Sequence, residues 1–290
     1  IPDPATTMNA LITGEIDFWE SPSPDLMPGM EGNPDITIKV IDPLGTQGWL
    51  RPNHLNPPFD NVKARQALLH MVKQEHYLQA IIGDEKFWRA CGAYFMCDTP
   101  LDSDVGAGPL INQDLETARK LLKEGGYNGE TLILMDPTDI PVLHGASLVT
   151  AQMLRKIGAK VEVQAMDWST LTSRRAETKS IADGGWNIFH TYSTGADVAS
   201  PIANIGVSGG CVEEAWFGWP CDKTLEDLRD QFSREGDPAK QVEIGIALQK
   251  RAYEVVPYVN YGQWFQPTAY RTSLKGVLIS PVPFFWNIEK

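Results

Sequence analysis

The sequence predicts an α/β protein in which helices cover a parallel or mixed sheet. Three observations lead to this prediction. Apolar strands alternate with amphipathic helices through the middle of the chain. Hydrophobic residues make up 42% of the chain and charged residues 21%, which is typical of globular proteins. No stretch approaches the roughly 18 uninterrupted apolar residues of a membrane helix. A length of 290 residues allows one large domain or two ordinary ones.

The first fifty residues alternate short elements. The segment TTMNALITGEI predicts a helix that ends at Gly14, because Met8, Leu11 and Ile12 share one face. A strand is predicted for IDFWE and another for ITIKVIDP, in which apolar and polar residues alternate. A proline-rich connection separates the two strands.

A long helix is predicted next, with Asp60 as its N-cap and Gly83 at its end. Its apolar positions recur at helical spacing, which indicates one buried stripe. The members of the stripe are Ala64, Ala67, Leu68, Met71, Leu78 and Ile82. A loop rich in Gly, Cys and Pro follows to about residue 111.

The middle of the chain supplies the β-α-β-α-β pattern. A helix over DLETARKLLKEGGYNG is capped by Asp114 and ends at Gly125 and Gly126. The predicted strands are TLILMD, AKVEVQAMD and WNIFHTYS. The predicted helices between them are PVLHGASLVTAQMLRKIG and WSTLTSRRAE. This order predicts a sheet covered by helices.

The last quarter of the chain predicts two helices, DKTLEDLRDQFSRE and DPAKQVEIGIALQKRAYEVV. An extended aromatic strand over PYVNYGQWFQPTAYR and a proline-rich tail follow. The α/β block over 54–265 carries its own core. The flanking segments 1–53 and 266–290 are therefore interpreted as pieces of a second unit.

Charge and cysteine content limit the possible functions. The net charge of −12 argues against nucleic acid as a partner, since phosphate binding requires basic patches. The spacing of Cys91 with Cys97, and of Cys211 with Cys221, favours two local disulfides over four free thiols. Each disulfide would contribute about 2–3 kcal/mol and would indicate an oxidising compartment. A zinc site is disfavoured, because neither pair has the CxxC spacing.

Signals for catalysis are weak. The chain has no GxSxG, HExxH or GxxxxGK[ST] motif. His70 and His76 are six residues apart on a predicted helix, so they lie on different faces and cannot share a metal ion. We therefore expect no catalytic residue, no metal and no cofactor. Nine Trp and eight Tyr residues could instead line a cleft for a small organic ligand, although most aromatic residues belong to cores.

The order of motifs resembles the bacterial extracellular solute-binding proteins of family 5, the peptide, oligopeptide and nickel class that serves ABC importers. The stretches that carry the resemblance are IPDPATTMNALITGEIDF, NPPFDNVKARQALLHMVKQEHYL, DLETARKLLKEGGYNG, AQMLRKIGAKVEVQAMDWSTL, CDKTLEDLRDQF and YGQWFQP. The resemblance implies a lobe of the type II periplasmic-binding-protein kind over 54–265. It also implies that 1–53 belongs to lobe I and that 266–290 returns to lobe I. We expect this chain to be the C-terminal portion of a longer protein.

The resemblance implies a ligand cleft beside WNIFHTYSTGADVASP, and with it the candidate residues Tyr192, Ser193 and Thr194. Peptide-binding members carry an aspartate directly after a Thr-Gly pair, where it pairs with the amino group of the peptide. Here Ala196 follows Gly195, and the aspartate comes one place later, as Asp197. Either Asp197 has taken over the role or the ligand lacks a free α-amino group, and we favour the second interpretation.

A second departure concerns the ligand carboxylate. Peptide binders place an arginine before the helix that begins near Pro141, where this chain has Asp139. Both departures argue against a zwitterionic dipeptide and leave sugars, amides, opines, other peptides and metal chelates open. Trp264 either lines the cleft or packs beneath the hinge, for which Trp49–Asn53 and Tyr258–Trp264 are the predicted strands.

The expected function is capture of a small peptide-like or other small organic solute by closure of two lobes. The expected partners are that solute and the permease of an ABC importer, and the expected location is the periplasm or another extracytoplasmic site. One alternative is a redox-active or hydrolytic enzyme of the cell envelope that uses the cysteine pairs. Another is an interaction module that binds a protein through its flanking segments.

Overall fold

The computed structural model describes residue 1 and residues 3–290. The α-helices are α1 (Pro4–Thr13), α2 (Val62–Met71), α3 (Gln74–Ile81), α4 (Gly108–Ile111), α5 (Leu115–Glu124), α6 (Pro141–Lys156), α7 (Trp168–Arg174), α8 (Gly195–Val198), α9 (Cys211–Glu214), α10 (Lys223–Arg234) and α11 (Pro238–Val255). The strands are β1 (Phe18–Trp19), β2 (Ile36–Val40), β3 (Thr46–Pro52), β4 (Trp88–Arg89), β5 (Thr131–Pro137), β6 (Lys160–Met166), β7 (Ile188–Thr194), β8 (Val259–Trp264) and β9 (Pro267–Arg271).

The larger sheet has the strand order β4-β8-β3-β7-β5-β6. β5 runs parallel to β6 and β7, and the remaining pairs are antiparallel. Together with the helices that pack on it, this sheet confirms the predicted α/β class with a mixed sheet. β3 lies in the middle of the sheet and is almost wholly buried, although it precedes residue 53 in the chain.

The smaller sheet is antiparallel, with the order β1-β9-β2. Helix α1 packs beside it: Leu11 joins Met30, Ile36 and Ala269 in a small core of its own. α1 is capped by Asp3, which accepts from the backbone N of Thr6 at 2.7 Å, and it ends at Gly14 as predicted.

Two sequence predictions about element boundaries are wrong. The single helix predicted from Asp60 to Gly83 is two helices, because Val72 and Lys73 are extended. The break lets α2 pack on α5 while α3 packs on α6 and β8. Asn61 caps α2 in place of Asp60, since its side chain accepts from the backbone N of Lys63 at 3.0 Å.

The predicted strand over PYVNYGQWFQPTAYR is also divided, because β8 belongs to the larger sheet and β9 to the smaller one. The chain therefore crosses between the sheets twice, at 41–45 and at 265–266. These crossings lie outside Trp49–Asn53 and Tyr258–Trp264, which are buried within the larger sheet. A hinge near those two segments stays a prediction: both are paired in one sheet, and Trp264 directly precedes the second crossing.

The first crossing is tied to β8 and to the turn after β7. The backbone O of Leu44 accepts from Nε2 of Gln263 at 2.7 Å, and the backbone N of Gly195 donates to the O of Gly45 at 2.6 Å. Gly45 has φ +65°, a left-handed conformation that favours glycine, and its α-carbon packs against the end of β8. The two crossings therefore run side by side at one end of the larger sheet.

Gly48 in β3 allows the ring of Tyr261 to lie against the backbone, because a Cβ at this position would overlap that ring. Gly48→Ala should therefore destabilise the protein by about 1–3 kcal/mol, as overpacking of a core does. Chemical denaturation measures the change. Gly236→Ala is the matched control, since nothing lies within 4 Å of a Cβ there. Equal stability of both variants would contradict this packing.

Candidate functional site

The candidate site lies at the end of the larger sheet from which both crossings leave. β5, β6 and β7 are parallel and end at this edge, and β8 ends there because both β7 and β8 are antiparallel to β3. Thr46, the first residue of β3, pairs with Thr194 on one side and with Trp264 on the other. In open α/β sheets, ligands bind outside the carboxyl ends of the strands.

An aromatic row leads from the core to this edge. Tyr77 stacks on Tyr261 with ring centroids 5.3 Å apart, and Tyr261 stacks on Trp264 at 6.3 Å. Trp264 contacts Tyr192 edge-on at 5.8 Å. Tyr192 is 45% exposed whereas Trp264 is only 3% exposed. Tyr192 therefore presents its ring to solvent, and Trp264 supports it from below.

A polar turn follows β7. Thr194 caps the short helix α8: its Oγ1 accepts from the backbone N of Asp197 at 3.3 Å and donates to Oδ2 of Asp197 at 2.8 Å. Among the residues described, no cation lies within ion-pair distance of Asp197, which is exposed. The turn thus presents an unpaired carboxylate, while Ser193 on the preceding residue is half-buried.

Asp139 occupies the loop between β5 and α6 and is exposed. Its Oδ1 accepts from the backbone N of Trp168 at 2.8 Å, which links this loop to the start of α7. Asp139 therefore lies at the same edge of the sheet as Tyr192, because β5 and β7 are parallel neighbours. Its carboxylate accepts a hydrogen bond from the backbone and contributes a negative charge to this edge.

Residue spacing did not reveal a buried aspartate that pairs with a histidine at this edge. Asp136 in β5 is 2% exposed, and its carboxylate oxygens lie 2.9 and 3.0 Å from Nδ1 of His144, on the first turns of α6. The signal that could have revealed it is the charged residue near the end of a buried strand, since a buried carboxylate requires a partner.

A second feature that residue spacing did not reveal is a polar network between the larger sheet and α6. His190 is fully buried, with Nε2 at 2.8 Å from Oγ1 of Thr150 and Nδ1 at 3.2 Å from Oγ of Ser147. The hydroxyl of Tyr77 is 2.8 Å from Oγ1 of Thr150. Burial lowers the pKa of His190 to about 3, so the ring is neutral at pH 7. The network holds α3 and α6 against β7.

A crevice of about 320 Å³ opens beside the smaller sheet. Pro141 and Val142 at the start of α6 form one wall. Trp19 and Gln266 belong to the opposite wall, and Nε2 of Gln266 donates to the O of Pro22 at 3.1 Å. The crevice therefore lies between β1 of the smaller sheet and the start of α6, which packs on the larger sheet, beside the crossing at 265–266.

Both predicted disulfides are present, Cys91–Cys97 and Cys211–Cys221. The loop that Cys211–Cys221 closes carries Trp216 and Phe217, whose carbonyl oxygens accept from the guanidinium of Arg51 in β3. The second disulfide thus closes a loop that is anchored to the middle strand of the larger sheet.

Two features are absent from the described residues, 1 and 3–290. No helix there is long and apolar enough to cross a membrane. No group of three or more His, Cys, Asp or Glu residues there could hold a metal ion.

A mixed sheet covered by helices, with polar residues at the carboxyl ends of its strands, is typical of α/β folds that bind ligands at this edge, and comparison with known proteins gives the family. A model described as bacterial extracellular solute-binding proteins, family 5 Middle, matches residues 1–211. The chain belongs to this family.

One curated relative is the probable peptide ABC transporter periplasmic-binding protein y4tO of Sinorhizobium fredii. It is 36% identical over 289 residues, which is 99% of this chain and 54% of the relative. The chain thus spans about half the length of the curated relatives it matches.

Solved structures share the fold. A putative peptide binding protein AppA from Clostridium difficile matches with a TM-score of 0.81 at 16% identity, over 100% of this chain and 59% of the other. DppA from Helicobacter pylori, in complex with the peptide STSA, matches with a TM-score of 0.80 at 22% identity, over 99% and 55% of the two chains.

Proposed function

We propose that this chain is part of an extracytoplasmic solute-binding protein that captures a small peptide-like solute for an ABC importer. The observation that carries the proposal is the family match over residues 1–211, together with a curated relative named as a peptide-binding protein. On this proposal the chain binds its solute without transforming it. Its partners are the solute and the permease of the importer, and its location is the periplasm or its equivalent.

The proposed units are lobe I, to which 1–53 and 266–290 contribute, and lobe II over 54–265. The crevice beside the smaller sheet and the two adjacent crossings support this division, because closure of two lobes requires a cleft and a hinge. β3 lies in the larger sheet, so on this proposal the last part of 1–53 is already embedded in lobe II.

The proposed ligand-binding residues are Tyr192, Ser193, Thr194, Asp197, Trp264 and Asp139. Tyr192 offers an exposed ring that is fixed by Trp264, and such a ring provides apolar contact at low entropic cost. Asp197 offers an unpaired carboxylate. Asp139 adds a second carboxylate. The loop between β5 and α6 contains no arginine.

Tyr192→Ala is expected to weaken solute binding at least tenfold, about 1.4 kcal/mol, because the exposed ring would be lost. Isothermal titration of the protein at its full encoded length, against peptides of two to five residues, measures the change. The control is Ile111→Ala, which truncates another exposed apolar side chain, on α4. Unchanged affinity in Tyr192→Ala would remove this residue from the proposed site.

The same titration distinguishes the two interpretations of Asp197. Each peptide is used with a free amino terminus and with an acetylated one. We expect the acetylated form to bind at least as tightly, because the aspartate is displaced by one residue from its place in peptide binders. Preference for the free form, lost in Asp197→Asn, would instead assign Asp197 to the ammonium group. The absence of binding to any peptide would overturn a peptide-like solute.

A further inference from the structure

Arg175, directly after α7, lies among four aromatic rings on the face of the larger sheet opposite α6. Its guanidinium carbon is 5.2 Å from the ring centre of Trp168, 5.7 Å from Phe189, 4.9 Å from Trp216 and 4.8 Å from Phe217. The opposite face follows from strand alternation, because His190, the residue after Phe189, points to α6. Each ring attracts a cation through its π face.

The hydrogen bonding of Arg175 differs from that of the neighbouring arginine. Arg174 donates to the carbonyl oxygens of Gly184 and Gly185 and to Oε1 of Gln164. Among the residues that the structure describes, the guanidinium of Arg175 donates to no acceptor and forms no ion pair. Its Nε is buried without a partner. Its two terminal nitrogens also have no acceptor but are not buried, so they reach the surface.

This arrangement gives a fixed cation with free donors. Stacking against the rings restricts the side chain, so binding would lose little further rotamer entropy. The two terminal nitrogens of a guanidinium match the two oxygens of a carboxylate in parallel hydrogen bonds. Trp168, Trp216 and Phe217 are each partly exposed around it. Aromatic residues and arginine are the residues enriched at the centres of protein interfaces.

We propose that Arg175, with the partly exposed rings of Trp168, Trp216 and Phe217, is a docking surface for a protein that inserts one aspartate or glutamate side chain. Charge complementarity supports this partner, since the cation has no protein acceptor. Glu213 and Glu214 on α9 precede the rings in the chain and are exposed, so they would repel a broadly acidic surface. A single inserted carboxylate is therefore the chemistry that fits.

The inference rests on the proposed function for the identity of the partner, which is the permease of the importer. The test measures binding of the protein, at its full encoded length, to nanodiscs that hold this permease. Arg175→Gln is expected to raise the dissociation constant at least tenfold. Arg175→Lys keeps the charge but loses the planar fork, and a rise of about threefold is expected. Arg119→Gln, which alters an exposed arginine on α5, should leave docking unchanged.

Peptide affinity is measured on the same variants, and Arg175→Gln should retain it, because Arg175 lies on the other face of the sheet from Tyr192. The docking surface would be overturned, and the proposed function left intact, if a folded Arg175→Gln docked with wild-type affinity. If the glutamine variant does not fold, wild-type affinity of Arg175→Lys would have the same consequence. A wild-type protein that binds peptides but not the nanodiscs would also overturn the docking surface. A wild-type protein that binds neither would overturn the proposed function and this inference with it.

Discussion

Arg51→Met should lower the free energy of unfolding by about 3–5 kcal/mol, the loss typical when one member of a buried charged network is removed. Arg51 is fully buried in β3, and burial lowers its pKa to about 9, so it remains charged at pH 7. No carboxylate among the described residues pairs with it. Its charge is instead stabilised by backbone carbonyl groups and by the ring of Trp216, whose centre lies 5.3 Å from the guanidinium carbon.

Four carbonyl oxygens accept from this guanidinium. Nη1 donates to the O of Gly206 at 2.5 Å and to that of Pro257 at 3.0 Å, Nε donates to the O of Phe217 at 2.6 Å, and Nη2 to that of Trp216 at 3.2 Å. Methionine fills part of the volume but removes a donor from each of the four oxygens. The O of Trp216 keeps the backbone N of Trp219 as a donor at 3.0 Å, and each buried group that is left unsatisfied costs about 1–3 kcal/mol.

Urea denaturation measures the change in unfolding free energy. Arg119→Met provides the control, because Arg119 is exposed and donates one hydrogen bond to the O of Lys156. That variant should differ from wild type by no more than about 0.5 kcal/mol. A loss in Arg51→Met as small as in the control would show that water satisfies the four carbonyl groups.

Acidification should destabilise the protein through His190, by roughly 4–5 kcal/mol between pH 6.5 and pH 3. The ring is buried and neutral, with its pKa lowered to about 3. In the unfolded chain the same ring binds a proton near pH 6.5. Below pH 6.5 the unfolded state thus binds more protons than the folded state, so stability falls as pH falls. Above pH 6.5 both states are neutral and this contribution is constant.

The pH dependence is best measured as a difference between variants, because paired carboxylates also lose stability in acid. His190→Gln removes the titrating group, and its unfolding free energy should fall less steeply with decreasing pH, by up to about 1.4 kcal/mol per pH unit. His76→Gln, at an exposed position on α3, should keep the wild-type slope. Parallel slopes for wild type and His190→Gln would mean that the buried ring accepts a proton as readily as an unfolded one.

The α/β class could be predicted because strand and helix periodicities are local properties of the sequence. The same locality explains the errors. Val72 has an apolar side chain at helical spacing, and only the different partners of α2 and α3 make it extended. Aromatic residues recur from β8 through β9, so composition did not mark the change of sheet. Asp60 and Asn61 are both good N-caps, and the pattern cannot choose between adjacent residues.

The candidate site was predicted only in part, for a related reason. Tyr192 and Asp197 lie in one continuous motif, so the resemblance could suggest them as candidates. The contact of Asp136 with His144 joins a strand to a helix, and the rings around Arg175 come from two elements and a loop. Such groupings depend on how the elements pack, and residue spacing does not record them.

The loop closed by Cys211 and Cys221 contacts two arginines. Its residues Trp216 and Phe217 give their backbone oxygens to Arg51 in β3 and their rings to Arg175 after α7. In a chimaera, a loop transplanted from another family member would consequently adopt this position only where arginine is present at both 51 and 175. The three segments therefore form one exchangeable module and should be grafted together.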